Sequence, residues 1–286
     1  MALTVVVAGL PPQRGAEAAD AGGADLGQYL GRWNYDLPDR ADMTNIAVMN
    51  LPNGGLQAPQ IGDIVFTLGD DGGIIGRTDV GCTWRFKAAS RRLELDPPAQ
   101  LCHNPTLHVS YTITRWTVSV DGKRERETVI AKSHHPDRDY DFVLDKGART
   151  KANDDPNAAR PFLGTWTYDP SDPQSRINIR TTQYTAPDGA PRMIESPQQG
   201  QVTITRDYAN RITVRTDEGC TWTLLARGST AKLDPPVQTC MLPSLAAITL
   251  TYYTIVTDGR RQAAMMVGTD ERGGTFVLSS GVLTKR

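Results

Sequence analysis

The chain has 286 residues and a mass of 31.2 kDa, enough for one large domain or two ordinary ones. Hydrophobic residues make up 39% and charged residues 22%, which is typical of a globular protein with a buried core and excludes disorder over most of the chain. The net charge of −1 argues against nucleic acid as a partner, and no run of about 18 apolar residues predicts a membrane span.

The first 27 residues predict a tail or the remnant of an export signal. Residues 2–10 form a short apolar run, and small residues follow at positions 16 and 18, as they do at a signal cleavage site. No Lys or Arg precedes this run, so the segment is interpreted either as a truncated signal or as an unstructured tail.

Residues 28–151 predict a first domain made of short strands. Between positions 63 and 68, Ile64, Phe66 and Leu68 share one face of a strand of period two. Further strands are predicted at residues 74–78, 83–87, 92–95, 109–120, 125–132 and 140–145. Turn signals such as Asp121-Gly122 separate them, and no window shows a helical stripe.

Residues 152–160 predict a short polar linker, and residues 161–286 repeat the first domain. Trp33 recurs as Trp166, 133 residues later. The segments 30–36, 78–84 and 95–102 return in the same order as 163–169, 216–222 and 233–240. Solenoid and propeller repeats are about 20–50 residues long, so this period indicates the duplication of a whole domain.

The two copies predict an all-β protein of two tandem barrels. About eight short strands in about 120 residues, joined by tight turns, favour an up-and-down antiparallel barrel in each copy. A β-sandwich is the alternative. The interior of an eight-stranded barrel is either filled by side chains or holds one small ligand.

The Gly-x-Trp pattern at Trp33 and Trp166, followed by a meander of strands, resembles the lipocalin and calycin superfamily. The resemblance implies that each Trp closes one barrel end and that a basic residue near the last strand packs on it. Arg149 or Lys151 would take that place in the first copy, and Lys285 in the second. The C-terminal helix of that superfamily has no counterpart here. Two-domain lipocalin-like cyclases of natural-product pathways are a further likeness.

The four cysteines are distributed two per copy, and the members of each pair are 20 residues apart. We expect the disulfides Cys82–Cys102 and Cys220–Cys240, and four reduced buried thiols are the alternative. Disulfides form in oxidising compartments, so they predict an extracytoplasmic or secreted protein rather than a cytoplasmic one.

Aromatic residues form the candidate ligand-binding set. On the long strand at 109–120, strict alternation places Tyr111 and Ile113 on one face and Thr112 and Trp116 on the other. If the face with Tyr111 and Ile113 points inward, the barrel is expected to be filled or to hold an apolar ligand. If the face with Thr112 and Trp116 points inward, a polar ligand held between aromatic rings is expected. The alternative for all of these rings is that they fill a core. The candidate residues are Tyr35, Trp84, Tyr111, Trp116, Tyr168, Trp222, Tyr252 and Tyr253.

All four histidines lie in the first copy, at positions 103, 108, 134 and 135. Histidine suits acid–base chemistry near neutral pH. His108 is the candidate catalytic residue, because it lies at the start of the long strand, where it would point into the barrel. His134 and His135 predict an exposed hairpin loop.

The sequence contains no motif for a nucleotide cofactor, a serine nucleophile or a zinc protease, and no cofactor or metal is predicted. The first hypothesis is therefore the binding of a small, partly apolar molecule in a barrel pocket. The alternatives are a cofactor-independent pocket enzyme for cyclisation, isomerisation or dehydration, and an exported interaction module. No oligomeric state is predicted.

Overall fold

The structure is a computed structural model that describes residues 25–51, 54–135, 138–170, 178–243, 246–279 and 281–286. It is all-β and contains two closed eight-stranded antiparallel barrels in tandem. The predicted fold class is therefore confirmed over the sandwich alternative. The predicted signal or tail lies almost entirely outside the described residues. In the described part of the chain, no helix is long and apolar enough to cross a membrane.

The first barrel is built from the strands β1 to β11. They are β1 (Gly31–Tyr35), β2 (Ile46–Leu51), β3 (Gly54–Pro59), β4 (Asp63–Leu68), β5 (Ile74–Thr78), β6 (Thr83–Ala89), β7 (Arg92–Leu95), β8 (Gln100–Asn104), β9 (Val109–Asp121), β10 (Arg124–His134) and β11 (Asp139–Lys151). The closed ring runs β1-β4-β5-β6-β7-β9-β10-β11, and β11 pairs with β1 to close it. The β2–β3 hairpin extends the sheet from β11, and β8 pairs with β9 outside the ring.

The second barrel repeats this order with one strand divided. Its strands are β12 (Gly164–Tyr168), β13 (Ile179–Thr185), β14 (Pro191–Pro197), β15 (Gln201–Arg206), β16 (Arg211–Thr216), β17 (Thr221–Arg227), β18 (Thr230–Leu233), β19 (Gln238–Met241), β20 (Ala247–Thr257), β21 (Arg261–Asp270), β22 (Thr275–Ser279) and β23 (Leu283–Lys285). Here β22 and β23 together take the place of β11, and β23 pairs with β12 to close the ring.

A β-bulge on β9 decides which side chains point into the first barrel. Ile113 pairs with Ala131, but Arg115 pairs with Ile130, so Thr114 is an extra residue on β9. The alternation changes phase at this point, and Ile113 and Trp116 are both buried in the core. Strict alternation along this strand was therefore the wrong expectation, since neither predicted face points inward over its whole length.

A Trp–Lys contact lies at one end of each barrel. Trp33 donates its indole N–H to the carbonyl of Tyr29, just after the 3₁₀ turn Leu26–Gln28, and the Lys151 ammonium lies 5.2 Å from the Trp33 ring. Trp166 and Lys285 repeat this contact at 5.2 Å. The basic residue on Trp33 is thus Lys151, and Arg149 has a different environment.

Both predicted disulfides are present, with Cα–Cα distances of 5.9 Å for Cys82–Cys102 and 5.6 Å for Cys220–Cys240. Each bridge links the start of one strand, β6 or β17, to the short strand outside the ring, β8 or β19. The bridges therefore hold these outer strands against the barrel wall.

The two barrels contact each other through the outer face of β20 and β21 and the loops at one end of the first barrel. An apolar cluster forms part of the contact, and its buried members are Ile61, Tyr252, Val256, Ala263, Met265 and Val267. Lys232 contacts the carboxylates of Asp63 and Asp79, the latter at 3.0 Å. One end of the first barrel is therefore covered by the wall of the second.

Candidate functional site

The interior of the first barrel contains a buried group of charged side chains. The Arg149 guanidinium donates through Nη1 to Glu125 Oε1 at 2.9 Å and to Glu127 Oε2 at 2.8 Å. Glu127 also accepts hydrogen bonds from the Tyr35 hydroxyl at 2.6 Å and from the Trp116 indole N–H at 2.8 Å. Two carboxyl groups and one guanidinium thus share the interior, with a formal charge of −1 when both carboxyls are ionised.

Local geometry makes room for this group. Glu127 pairs with Gly147 across β10 and β11, and a side chain on Gly147 would collide with Glu127 Cγ. The Arg149 guanidinium stacks over the Tyr35 ring, with 3.9 Å between its central carbon and the ring centroid. Glycine at position 147 is therefore required for the Glu127 carboxyl to reach Arg149.

Two polar atoms of the group are buried without a hydrogen-bond partner, namely Glu125 Oε2 and Arg149 Nε. Burial raises the pKa of Glu125 to about 8, even though the neighbouring Arg149 opposes the shift. For Arg149 burial also opposes the charged form, but the two carboxylates outweigh it and raise its pKa. Unsatisfied buried polar atoms are costly, so a bound group that pairs with them would be stabilised.

The second barrel replaces this charged group with neutral residues. Glu125 pairs with Arg149 across the sheet, and at the equivalent place Gln262 pairs with Leu283. Glu127 corresponds to Ala264, two residues beyond Gln262. Gln262 Oε1 is also buried without a partner, but no charge accompanies it. The buried ion cluster therefore belongs to the first barrel, among the residues that the structure describes.

A small surface pocket of about 220 Å³ reaches Glu125 from outside the barrel. Its walls are formed by the loop after β1 and by the outer side chains of β10 and β11. The lining residues are Asp36, Asp42, Thr44, Arg124, Glu125, Arg126 and Ala148. The backbone N–H of Thr44 lowers the pKa of the Asp42 carboxyl, so Asp42 adds a negative charge to a wall that also contains Arg124 and Arg126. The pocket thus reaches residue Glu125 at the barrel wall, while the Glu125 carboxyl itself is fully buried inside the barrel.

Most predicted aromatic residues of the first barrel lie inside it, packed against one another. The Trp84 ring is 5.7 Å from Tyr111 and 6.0 Å from Trp116, measured between centroids. Tyr35 and Trp116 belong to the charged group, whereas Tyr111 contacts Cys82 Sγ through its hydroxyl at 3.2 Å. Of the predicted ligand-binding residues, the structure brings only Tyr35 and Trp116 to Arg149.

The predicted aromatic residues of the second barrel divide between two places. Tyr168, Trp222 and Tyr253 pack in its core. Tyr252 points outward and donates its hydroxyl to Asp79 of the first barrel, so it lies in the contact between the barrels. The outward position of Tyr252, a member of the candidate ligand-binding set, follows from an extra residue at Thr251 that shifts the alternation on β20.

His108 lies outside the barrel interior, contrary to the expected orientation. β9 begins at Val109, and His108 occupies the preceding loop with φ of 55° and an exposed side chain. Its backbone N–H donates to the carbonyl of Asn104, which closes a turn. A catalytic role for His108 would therefore have to be performed on the surface.

A wider groove of about 850 Å³ lies on the outer face of β7, β9, β10 and β11. Several of its polar side chains are paired within the sheet, such as Arg92 with Glu94 at 2.6 Å and Thr128 with the Asp145 carbonyl at 3.3 Å. The groove is therefore a solvated sheet face. In the described residues, no group of three or more His, Cys, Asp or Glu is arranged to hold a metal ion.

Comparison with known proteins gives only distant likenesses, which carry no argument about fold or function. No protein-family model and no curated protein matches the chain. Among solved structures, a candidate outer membrane protein from Bacteroides fragilis is 11% identical, with 90% of this chain and 99% of that chain covered and a TM-score of 0.29. A DUF3598-family protein of unknown function from Nostoc punctiforme is 13% identical, with coverages of 91% and 97% and a TM-score of 0.26. A redesigned β-barrel is 14% identical, with coverages of 45% and 95% and a TM-score of 0.22. Likenesses this distant carry no functional argument.

Proposed function

We propose that the protein binds a small molecule at the Glu125 pocket of the first barrel, and that the ligand presents a cationic N–H group. The observation that supports this most directly is that Glu125, one of the residues that line the pocket, has a buried carboxyl oxygen, Oε2, without a hydrogen-bond partner. The apolar ligand predicted from the sequence has less support, since charged residues form most of the pocket wall.

A cation fits the charge balance of the site. Glu125 and Glu127 together outnumber Arg149 by one charge when ionised, and in the pocket wall Asp36 and Asp42 are balanced by Arg124 and Arg126, so an excess of one negative charge remains. A bound cation would replace the proton on Glu125, whose pKa is about 8. Affinity should therefore rise by up to about tenfold per pH unit below that pKa and become constant above it.

The binding proposal can be tested with methylguanidinium as the probe and N-methylacetamide as its neutral control. The side-chain carbonyl carbon of residue 125, a carboxyl in the wild type and a carboxamide in Glu125→Gln, is followed by NMR during titration at several pH values. The Gln variant is a matched control, because the second barrel already has Gln262 at this position. We expect saturable binding of the cation that strengthens with pH and is absent from the variant. Equal responses in both proteins, or a response only to the amide, would contradict the proposal.

A pocket enzyme is the second candidate function. The environment of Glu125 makes this residue a better candidate for the catalytic acid than the surface residue His108. A carboxyl with a pKa of about 8 is protonated near neutral pH and can donate a proton to a substrate. Cyclisation, isomerisation and dehydration need such a donor and no cofactor. Turnover of a substrate that is lost in Glu125→Gln and retained in His108→Ala would identify Glu125 as the acid, and the opposite result would identify His108.

We further propose that the protein works outside the cytoplasm. One disulfide in each barrel supports an oxidising compartment. The test is cell fractionation, followed by maleimide labelling of the denatured protein with and without prior reduction. Protein in the extracytoplasmic fraction that labels only after reduction is the expected result, and reduced protein in the cytoplasm would contradict it.

A further inference from the structure

A second polar cluster lies on the outer face of the first barrel, at the opposite end of β10 from Glu125. The strands β8, β9, β10 and β11 bring side chains into register there in two cross-strand rows. The first row is His103, Ser110, His134 and Asp139, and the second is Leu101, Thr112, Lys132 and Asp141. Residues opposite each other in such rows are in contact range. Strand pairing therefore fixes the relative positions of these groups.

Three of these side chains form a continuous hydrogen-bonded chain. The Thr112 hydroxyl oxygen is 2.8 Å from His134 Nε2, and His134 Nδ1 is 2.8 Å from Asp139 Oδ1. An ionised carboxylate only accepts hydrogen bonds, so Nδ1 carries the proton and Nε2 accepts from Thr112. A hydroxyl, an imidazole and a carboxylate in this order are the groups of a nucleophilic triad.

The hydrogen-bonded chain of Thr112, His134 and Asp139 is exposed to solvent, and Thr112 is paired with one residue on each adjacent strand. His134 is 34% exposed and Asp139 49% exposed, measured on their side chains. Leu101 pairs with Thr112 from β8 and is 54% exposed, which offers an apolar surface for an acyl group. Lys132 pairs with Thr112 from β10, and its ammonium group, 3.6 Å from the Asp141 carboxylate, is the positive charge nearest in register to Thr112.

Among the described contacts, two other imidazole–hydroxyl pairs lie nearby, and neither has a carboxylate bonded to its imidazole. His103 Nδ1 contacts Ser110 Oγ at 2.8 Å, and His135 Nε2 contacts Ser133 Oγ at 3.1 Å. In the second barrel Thr249 corresponds to Thr112, but its hydroxyl contacts Thr239. The full set therefore occurs once in the described structure, in the copy that carries the histidines.

We propose that Thr112 is a nucleophile for acyl transfer from esters of small apolar acids. Thr112 Oγ forms a bond to the acyl carbon while His134 Nε2 takes its proton. The bond between the acyl carbon and the leaving oxygen then breaks, and that oxygen receives the proton from His134. Water, deprotonated by His134, hydrolyses the acyl-threonine, which releases the acid and restores the hydroxyl. Asp139 is a positioning residue that orients the imidazole.

The test uses the full chain and 4-nitrophenyl butyrate. Release of 4-nitrophenolate is measured, and the site of the butyryl group is mapped by mass spectrometry. We expect acylation at Thr112 and a loss of rate of about 100-fold or more in Thr112→Val and in His134→Gln, as for removal of a nucleophile or its base. Thr112→Ser should retain activity, and Asp139→Asn should lower kcat with little change in KM.

The control is Thr249→Val, which makes the same change in the second barrel and should leave the rate unchanged. Circular dichroism and the thermal midpoint show whether Thr112→Val is folded, as expected for a β-branched substitution on an outer sheet face. Acylation mapped only to other side chains would overturn the proposal. A folded Thr112→Val variant with wild-type turnover, or a wild type that does not react above the buffer rate, would overturn it as well.

Discussion

The hydroxyl of Tyr252, on the outer wall of the second barrel, donates a 2.8 Å hydrogen bond to Asp79 Oδ2 in a loop of the first barrel. Lys232, from the same wall, contacts Asp79 and the buried carboxylate of Asp63. Burial raises the pKa of Asp79, and Lys232 opposes that shift. Asp63 also pairs with Arg32 of its own barrel at 2.6 Å, and Lys232 is the cation that the second barrel adds to both carboxylates. Whether residues 28–151 and 161–286 are separate folding units stays a prediction, and this contact favours joint stability.

Replacing Lys232 tests that coupling. Lys232→Met leaves the Asp63 and Asp79 carboxylates without their shared ammonium group, and we expect a loss of about 1–3 kcal/mol in the free energy of unfolding. Lys87→Met is the matched control, because Lys87 pairs with Asp96 on the exposed surface and should cost less than about 0.5 kcal/mol. Urea unfolding measures both. Equal effects would show that the contact between the barrels is unimportant for stability.

The raised pKa of Glu125 predicts that stability falls with pH. Between its ordinary value of 4.5 and about 8, the folded state holds a proton that the unfolded state has lost. The group therefore removes up to about 1.4 kcal/mol of stability per pH unit in this range. Glu125→Gln abolishes the titration, so its unfolding free energy should decline less between pH 5 and 8. Parallel pH profiles for the two proteins would be inconsistent with a raised pKa.

Replacing Arg149 alone should cost more stability than replacing it together with Glu125 and Glu127. Arg149→Leu leaves Glu125 and Glu127 buried without their cation, and we expect a loss of about 3–5 kcal/mol. The triple variant Glu125→Gln, Glu127→Ala and Arg149→Leu carries the residues of the second barrel and should recover most of that loss. Guanidinium unfolding of both variants gives the comparison. A triple variant that is no more stable than the single one would mean that packing, not charge, determines the cost.

Removal of either disulfide should destabilise the protein. Each bridge joins residues 20 positions apart, for which the chain-entropy effect is about 3 kcal/mol. We expect Cys82→Ala with Cys102→Ala, and separately Cys220→Ala with Cys240→Ala, to lower the unfolding free energy by about 2–3 kcal/mol each. Reductant should lower the unfolding free energy of the wild type by more than it lowers that of either double variant, because the wild type has two bridges to lose and each variant has one. No change in unfolding on reduction would show that the bridges are dispensable.

The strands that the sequence predicted well have clear alternation between strong turn signals. β4 (Asp63–Leu68), β5 and β7 have the expected bounds. The hairpin of β2 and β3 was missed, because Gly54, Gly55 and the prolines interrupt its pattern. β8 was missed because it is short and directly follows a turn. Of these segments, only β2 pairs with a strand far along the chain, β11, whereas β3 and β8 pair with the neighbouring strands β2 and β9.

The charged site could not be predicted from local pattern. Residues 123–127 are all charged, so no apolar side chain indicates that Glu125 and Glu127 point inward while Arg124 and Arg126 point outward. The available signal was the comparison of copies, in which Glu125, Glu127 and Arg149 become Gln262, Ala264 and Leu283. The histidines drew attention because they are also confined to one copy, but His108 lies in an exposed loop.

The extra residue on β9 carries information about the history of the chain. Thr114 occupies it in the first barrel and Thr251 at the equivalent place in the second, and each hydroxyl donates to the carbonyl opposite the bulge, Ile130 or Val267. A feature shared at this level of detail was present in the single-barrel ancestor. The buried ion cluster is not shared, so the two descendants diverged in their interiors while preserving their walls. The first barrel now has a charged interior, and the wall of the second barrel covers one end of the first.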